Sequence, residues 1–298
     1  MGLKRTYAVI GACSGWGAQI RSCEEGPEDL VRSDIIHTLE EHGAAIAELT
    51  LLFPEQREKY KNIPLDQALP MIQQINGRIA DTVQRAMRNG EFPIVLEGDH
   101  SNAVGVWNGV YQGLGRVPLG LLWIDAHMDA HTPQTSPSGA WHGMPIAALL
   151  GHGPKELCQL TQAAPILLPE HVALIGTRSA EAGERALLKR LNVRVFEIEE
   201  VRDRGLKEVV SEALAHVTRD VEGFGVSLDL DVLDPSAAPG VGSPVSGGLT
   251  LEDLLEALDL IAHQKKLRAF ELSEYNPSRD PRHTTRACAF EILKKVIR

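Results

Sequence analysis

Short apolar runs alternating with helix-like segments constrain the fold of this chain more than any other feature. Eight such runs are rich in β-branched residues or nearly continuous in their hydrophobicity, as in Leu119-Gly-Leu-Leu-Trp-Ile124. This pattern is typical of strands that are covered on both faces of a parallel sheet. The predicted strands are Thr6–Ile10, Ala45–Leu52, Pro93–Leu96, Leu119–Ile124, Val172–Gly176, Val193–Ile198, Gly225–Leu230 and Arg268–Glu271.

Amphipathic segments lie between these runs and predict helices. The first has a proline at its start and stops before Gly43, which matches the usual chemistry of helix ends. Helices between successive strands form βαβ units, so the chain predicts a three-layer α/β/α sandwich around a mostly parallel, roughly eight-stranded sheet. The predicted helices are Pro27–His42, Leu65–Asn89, Ala180–Leu191, Leu206–Thr218 and Thr250–Gln264.

The length of 298 residues leaves open whether the chain forms one domain or two. The best linker candidate is the Pro- and Ser-rich segment Thr132–Gly139. It lies between motifs rich in His and Asp, which favours an active-site loop over a linker. We therefore expect a single domain over residues 1–298, a size that α/β folds often reach.

Composition excludes several classes of protein. A hydrophobic content of 43% and a charged content of 23% are ordinary for a soluble globular chain and exclude a disordered or fibrous one. No apolar run approaches the roughly 18 residues of a spanning helix, and Met1–Arg5 leads into a strand-like run rather than a signal peptide. The net charge of −10 disfavours nucleic-acid binding. The four cysteines are scattered without a Cys-x-x-Cys pair, as expected of reduced thiols in a cytoplasmic protein.

Polar motifs follow three of the predicted strands, at the strand ends where open α/β sheets bind ligands. They are Glu97-Gly-Asp-His-Ser101, Asp125-Ala-His-Met-Asp129 and Ser227-Leu-Asp-Leu-Asp-Val-Leu-Asp-Pro235. Side chains two apart share a face while a chain stays extended, so four carboxylates and two imidazoles are expected on one rim. These six residues are His100, Asp125, His127, Asp129, Asp229 and Asp231.

A metal site explains this cluster better than a set of turn or helix caps. One such aspartate is usually a cap, but four packed carboxylates repel one another unless cations neutralise them. Two divalent ions would balance the four negative charges. Asp and His ligands without thiolate suit Mn, Fe, Co or Zn, and two metals sharing a water can supply a hydroxide at neutral pH. The ligands alone leave the choice of metal open.

The three motifs resemble the signature motifs of the arginase/agmatinase (ureohydrolase) family. The resemblance runs nearly end to end, because five further segments are also similar to family segments. These are Ile10-Gly11, Glu24-Glu-Gly-Pro27, Ile175-Gly-Thr-Arg-Ser179 with Gly183-Glu184, Gly242-Ser-Pro-Val-Ser-Gly-Gly-Leu249 and Glu274-Tyr-Asn-Pro277.

The resemblance implies a binuclear, usually manganese, hydrolase of guanidino compounds that releases urea. It implies that Asp125 and Asp229 bridge the two ions. His100 and Asp129 would complete the shell of one ion, and His127 and Asp231 that of the other. Asp129 is also expected to hold the hydroxide that attacks the guanidinium carbon.

Two further catalytic roles follow from the resemblance. His142 matches the family histidine that shuttles protons, a role that suits a group titrating near neutral pH. Glu274 matches the carboxylate that pairs with the substrate guanidinium, and a bidentate pair would orient the carbon toward the hydroxide.

The resemblance also implies contacts to the amino-acid end of the substrate. Ser138 matches a contact to the α-carboxylate, Ser243 matches a threonine contact, and Glu181 stands where an aspartate usually holds the α-amino group. His131 and Ala140 occupy positions that are asparagine in arginases. His131 is expected to bind the substrate in place of one of these contacts, particularly when protonated, whereas alanine cannot donate a hydrogen bond from its side chain. Glu97 stands where the family commonly has glycine.

L-Arginine hydrolysis to L-ornithine and urea is the expected activity. The alternatives are agmatinase, guanidinobutyrase or formimidoylglutamase-type hydrolysis of another small guanidino or formimino compound. A related one-metal deacetylase and a non-catalytic arginase-like protein are disfavoured, because all six metal ligands are retained. The resemblance also implies a homo-oligomer, a trimer or a hexamer, and we expect neither a nucleic-acid nor a membrane partner.

Overall fold

The computed structural model describes residues 5–59, 62–161 and 164–297. Eight strands form one sheet and, within these ranges, every pair of neighbouring strands is parallel. The strands are β1 (Thr6–Ala12), β2 (Ala45–Leu52), β3 (Phe92–Glu97), β4 (Leu119–Ile124), β5 (Val172–Thr177), β6 (Arg194–Glu197), β7 (Gly223–Asp229) and β8 (Leu267–Ser273). All eight predicted strands are therefore confirmed, two of them, β2 and β4, with the predicted ends.

The strand order is β2-β1-β3-β8-β7-β4-β5-β6. The four central strands, β3, β8, β7 and β4, are thus neighbours although their order along the chain differs. Because all strands are parallel, their carboxyl ends meet at one edge of the sheet. Residues that follow these four strands are brought together at the middle of that edge.

Helices cover both faces of the sheet. They are α1 (Gly26–Arg32), α2 (Ile35–Glu41), α3 (Leu69–Arg88), α4 (Ala103–Gly113), α5 (Pro145–Leu149), α6 (Lys155–Cys158), α7 (Ala182–Leu191), α8 (Ile198–Arg204), α9 (Leu206–Val217), α10 (Leu251–Ala262) and α11 (Thr284–Val296). One hydrophobic core joins the sheet to α1, α2 and α8 to α11, and a second joins it to α3, α4, α5 and α7. The predicted three-layer sandwich is confirmed.

The burial of the strands explains why the sequence shows them as nearly continuous apolar runs. Every residue of β3, β4, β5 and β7 is buried, because helices cover both faces of these strands. The edge strand β2 is mostly half-exposed, with Leu49 42% exposed. Within the described ranges, no helix has both the length and the apolar character that crossing a bilayer requires.

The helices were predicted less accurately than the strands. The predicted helix Pro27–His42 is two helices, because the chain turns at Ser33 and Asp34, where Asp34 has a left-handed φ of 69°. The other four predicted helices correspond to α3, α7, α9 and α10. The predicted strand Val193–Ile198 is shorter than expected, since Ile198 begins α8.

Helices α4, α5, α6, α8 and α11 were not predicted, and in α4 the glycines lower helix propensity. Two of these glycines allow α4 to pack closely on α3. A Cβ at Gly105 would lie 2.5 Å from the carbonyl oxygen of Asn76, and one at Gly109 would lie 2.6 Å from that of Ala80. Contact between the two helices therefore requires the residues that obscured α4 in the sequence.

Candidate active site

The six predicted metal ligands all follow the central strands. His100 comes after β3, the aspartates and histidine of the 125–129 motif follow β4, and Asp229 ends β7 with Asp231 just beyond it. They converge at the carboxyl edge of the sheet, although not on straight strands as predicted. Asp231 lies in a 3-10 turn, and Asp129 has a left-handed φ of 49°, so turns rather than strand alternation aim these side chains.

Aspartate side chains shape these turns by bonding their own backbone. Asp125 accepts a hydrogen bond from the N–H of His127 at 2.7 Å, and Asp229 accepts one from the N–H of Asp231 at 2.8 Å. Such i to i+2 bonds are typical of aspartate turns. The residue spacing of the motifs therefore produces the turns that gather the ligands.

One group of ligand atoms surrounds Nδ1 of His100. This atom lies 3.2 Å from Oδ2 of Asp125, 3.1 Å from Oδ2 of Asp129 and 3.2 Å from Oδ2 of Asp229. It is buried and has no hydrogen-bond partner of acceptable geometry among the described residues. Three carboxylate oxygens and an unpartnered imidazole nitrogen thus face a common point.

A second group lies beside the first and shares Asp125. Nδ1 of His127 is 3.0 Å from Oδ2 of Asp231 and 3.5 Å from Oδ1 of Asp125. Asp125 therefore turns one oxygen toward each group, as a bridging ligand would. Asp229 contributes to the first group, and its predicted bridging role stays a prediction.

The electrostatics of the cluster call for cations. Asp125, Asp129, Asp229 and Asp231 are all buried. Burial raises the pKa of Asp229 well above its usual range, and the nearby Asp231 and Asp125 raise it further. Burial and the charge of Asp125 raise the pKa of Asp129 to about 6. Oxygen and nitrogen donors without thiolate, crowded in this way, fit a pair of divalent ions.

A further layer of contacts orients the ligands. Trp123 donates its indole N–H to Oδ2 of Asp125 at 2.9 Å and stacks on His100 with ring centroids 4.1 Å apart. Nε2 of His100 lies 2.8 Å from Oγ of Ser227 and 3.3 Å from Oε1 of Glu271. Partners of this kind fix the orientation of metal-binding imidazoles and carboxylates.

Glu274 and His142 lie together beside the ligand cluster. Oε1 of Glu274 is 3.0 Å from Nδ1 of His142 and accepts the backbone N–H of His100 at 2.9 Å. Burial opposes a charge on His142, but the carboxylate of Glu274 outweighs it and raises the pKa of this histidine to about 9. The same pairing keeps the pKa of Glu274 below its usual value despite its burial.

A cavity of about 220 Å³ opens above the cluster. Asp125 lies beneath the cavity and is fully buried, whereas the other predicted site residues line it. The loop predicted from Thr132–Gly139 contributes Ser136, Pro137 and Ser138 to the wall. The lining residues from the predicted set are His100, His127, Asp129, His131, Ser138, His142, Glu181, Asp229, Asp231, Ser243 and Glu274.

At the outer wall, His131 is committed to protein partners. Its Nε2 lies 2.9 Å from Oε2 of Glu181, and its Nδ1 lies 3.2 Å from Oγ1 of Thr135. Ser138 accepts the backbone N–H of Ala140 at 3.1 Å. Both ring nitrogens of His131 are therefore engaged in this structure, and the Ala140 side chain offers no donor.

Several residues of the site were not among those predicted from the sequence. Glu184 lines the cavity and forms a capping box with Glu181 at the start of α7, a spacing that could have been recognised. Trp123 lies near the end of β4, two residues before Asp125, which is a weaker signal. Cys23, whose Sγ is 3.2 Å from Oε2 of Glu274, had no signal because 251 residues separate the two.

Comparison with known proteins agrees with this geometry. The sequence profile described as "Arginase family" matches residues 5–297. Arginase of Brevibacillus brevis is 35% identical over 294 residues, covering 99% of this chain and 98% of the relative. Arginase of Bacillus caldovelox is 36% identical over 297 residues, covering 97% of each chain.

Solved structures give the same result. The crystal structure of arginase from Bacillus subtilis superposes with a TM-score of 0.90 at 33% sequence identity and covers 98% of both chains. Sequence and fold thus agree over essentially the whole length. The chain belongs to the arginase family.

Proposed function

We propose that this protein hydrolyses L-arginine to L-ornithine and urea. The observation that carries the proposal is one cavity lined by five of the six metal-type ligands together with Glu274 and His142, with the sixth ligand, Asp125, buried beneath it. The relatives at 35% and 36% identity are named arginases, which supports the same reaction class here.

The six ligands would hold two divalent ions, His100 with Asp129 on one side and His127 with Asp231 on the other. Asp125 turns an oxygen to each side, and Asp229 is proposed as the second bridge. When bound, such ions lower the pKa of a shared water and supply a hydroxide at neutral pH. We propose Mn²⁺ from the family resemblance, since the ligand types by themselves suit Fe, Co and Zn as well.

Three residues of the chain would carry the reaction on the substrate. Glu274 would pair with the guanidinium and aim its carbon at the cluster, since a carboxylate matches the planar N–H pair of that group. Asp129 would accept a hydrogen bond from the attacking hydroxide. His142, whose protonated form the neighbouring Glu274 favours, would deliver a proton to the departing amine.

The outer wall of the cavity would hold the amino-acid end. Ser138 supplies a hydroxyl donor for the α-carboxylate, and Glu181 supplies a carboxylate for the α-amino group. Ser243 supplies a further hydroxyl on the cavity wall, at the position of a threonine contact in the family. His131 would act by orienting Glu181, to which its Nε2 is bonded.

A second class of substrate follows from the few hydrogen-bond donors on the outer wall of the cavity. Ala140 offers no side-chain donor, and His131 is bonded to Glu181 and Thr135. A site with fewer carboxylate contacts discriminates less against compounds that lack the carboxylate. Agmatine, which lacks the carboxylate, is therefore the alternative that this wall favours. Guanidinobutyrate and formimino amino acids keep a carboxylate and stay alternatives from the family resemblance alone.

We further infer a single domain, a cytoplasmic location and a homo-oligomer. One sheet takes up all eight described strands, which supports one domain. All four cysteines are free and buried, which fits a reducing compartment. A trimer or hexamer is proposed from the family resemblance, and light scattering after size-exclusion chromatography would measure it.

Product release from a substrate panel after manganese loading tests the function. Purified protein is assayed with L-arginine, agmatine, guanidinobutyrate and formiminoglutamate, with Asp125→Asn purified in parallel to control for contaminating hydrolases. We expect the wild type, but not Asp125→Asn, to release urea and ornithine from arginine. Turnover of another panel compound without action on arginine would reject the arginase assignment, and no turnover of any compound would reject the enzyme class.

A further inference from the structure

The carboxylate of Glu274 is held from several sides. Its Oε1 accepts the backbone N–H of His100, and its own N–H donates to the carbonyl of Gly98 at 2.9 Å. Its backbone has a left-handed φ of 66°, which a residue with a side chain rarely adopts. These contacts fix the positions of the backbone and of Oε1. The position of Oε2 depends on other groups.

Cys23 approaches Oε2 from the opposite end of the sequence. It lies in a 3-10 turn, Arg21–Glu25, and its side chain is fully buried. Its Sγ is 3.2 Å from Oε2 of Glu274 and 3.6 Å from the carbonyl oxygen of the same residue. The thiol therefore touches both the backbone and the carboxylate of Glu274.

Gly242 lies beside Oε2 and leaves open the space that a side chain would fill. A Cβ at this position would lie 2.0 Å from Oε2 and 3.3 Å from Sγ of Cys23. Any larger residue at position 242 would displace Oε2 from its place beside the thiol. The position of the carboxylate therefore depends on this glycine as well as on hydrogen bonds.

We propose that Cys23 is a positioning residue for the guanidinium subsite, its thiol hydrogen holding Oε2 of Glu274 in the plane that meets the substrate. This inference rests on the proposed function, in which Glu274 binds the guanidinium. A thiol is a weak donor, so Oε2 keeps most of its capacity to accept a substrate N–H. A backbone or ammonium donor at the same place would compete with the substrate more strongly.

The protonation state of the thiol agrees with this role. Burial raises the pKa of Cys23 well above its usual range, and the adjacent Glu274 raises it further. The group therefore keeps its hydrogen at neutral pH and points a donor, rather than a second negative charge, at the carboxylate.

Binding of guanidinium ion to the manganese-loaded enzyme isolates this subsite from the amino-acid end. Its affinity is measured by titration calorimetry for wild type, Cys23→Ser and Cys23→Ala, with KM and kcat for the substrate beside it. Cys288→Ala is the matched control, because Cys288 is also buried and its Sγ contacts a backbone carbonyl 3.6 Å away at Ala237. Metal content is measured for every variant.

We expect Cys23→Ala to weaken guanidinium binding about three- to tenfold, the loss of one weak hydrogen bond to a charged group. The ratio kcat/KM should fall by a similar factor. Cys23→Ser, which keeps a donor, should bind within about twofold of wild type. Cys288→Ala should bind as wild type does, which separates the effect from loss of a buried thiol in general.

Glu274→Gln distinguishes failure of this inference from failure of the proposed function. If Glu274→Gln loses guanidinium binding while Cys23→Ala keeps it, Cys23 has no positioning role. If neither variant changes binding, the guanidinium subsite itself is misassigned. Should Cys23→Ala not fold, Cys23→Thr and Cys23→Val form a pair of equal shape that differ in the donor, and equal binding by the two would overturn the inference.

Discussion

Replacing Trp123 by phenylalanine would test whether the layer around the ligands controls metal affinity. Trp123 is fully buried and donates to Oδ2 of Asp125, the residue whose two oxygens face the two ligand groups. Trp123→Phe removes this N–H but keeps a flat ring against His100, where the stacked rings are inclined by only 13°. The change therefore deletes one hydrogen bond without deleting the stacking surface.

The size of the effect follows from the charge on the acceptor. A hydrogen bond to a charged group contributes about 1.5–3 kcal/mol, and loss of such a partner typically lowers metal affinity by about 10–100-fold. We expect the loss to fall in this range, because both Trp123 and Asp125 are fully buried and water cannot replace the donor. The free energy of unfolding should also fall, through the cavity left by the smaller ring.

Trp107→Phe separates the hydrogen bond from the cavity. Trp107 is also fully buried, but its indole N–H has no hydrogen-bond partner among the described residues. The same atoms are deleted in both variants. Metal affinity is measured by competition with a chromophoric chelator, and stability by urea unfolding of the metal-free proteins.

The expected outcome is a loss of metal affinity in Trp123→Phe that is absent in Trp107→Phe. Both variants should lose stability through the cavity, and Trp123→Phe should lose more because it also loses the buried hydrogen bond to Asp125. Equal metal affinities in the two variants would refute the reasoning, because the hydrogen bond to Asp125 would then contribute nothing to binding. If both variants lose metal affinity to the same extent, the loss is caused by the cavity and not by the hydrogen bond.

Four further outcomes are expected. Chelator should abolish activity and Mn²⁺ restore it, and Asp125→Asn should lower metal content at both positions; activity persisting without any divalent metal in elemental analysis would contradict this. His142→Asn should lower turnover about 10²–10⁴-fold with metal content unchanged, as measured by steady-state kinetics beside elemental analysis. Glu274 raises the pKa of His142 to about 9 in the folded chain, from about 6.5 in the unfolded chain. In the metal-free protein this pair therefore stabilises the fold fully below about pH 6.5 and loses its contribution as the pH rises toward 9. Urea unfolding across that range should show the difference in stability between wild type and His142→Asn shrink as the pH rises. Ala140→Asn should raise the preference for arginine over agmatine by about 1–2 kcal/mol, one regained hydrogen bond, and an unchanged ratio of kcat/KM values would argue against it.

Local pattern was enough to predict the strands and the place of the site. Parallel strands buried on both faces show as continuous apolar runs, and this is why β2 and β4 were predicted with their observed ends. Parallel strands also share the edge at which they end, so motifs directly after β3, β4 and β7 had to lie on the same side of the sheet. The aspartate turns that aim the ligands are local as well, because each bond spans two residues.

Helix boundaries depended on contacts that the local pattern does not contain. The glycines of α4 indicated no helix by propensity, yet the backbone of α3 leaves no room for larger residues at Gly105 and Gly109. The turn at Asp34 likewise divides a continuous amphipathic pattern into two helices. In α4, packing against a neighbour outweighs the preference of the segment itself.

The amino-acid sequence by itself determined the layered sheet and the residues available to bind metal, since these follow from periodicity and from short motifs at strand ends. Only the tertiary structure decided how the side chains are paired. The strand order places β8 between β3 and β7, and this brings Glu274 to His142 and to Cys23. The tertiary structure also decided that Nε2 of His131 bonds to Glu181 and is not left available to a ligand in the cavity. The physical reason is distance along the chain: pairings across 50 to 251 residues are set by how the layers pack, which no local window of sequence records.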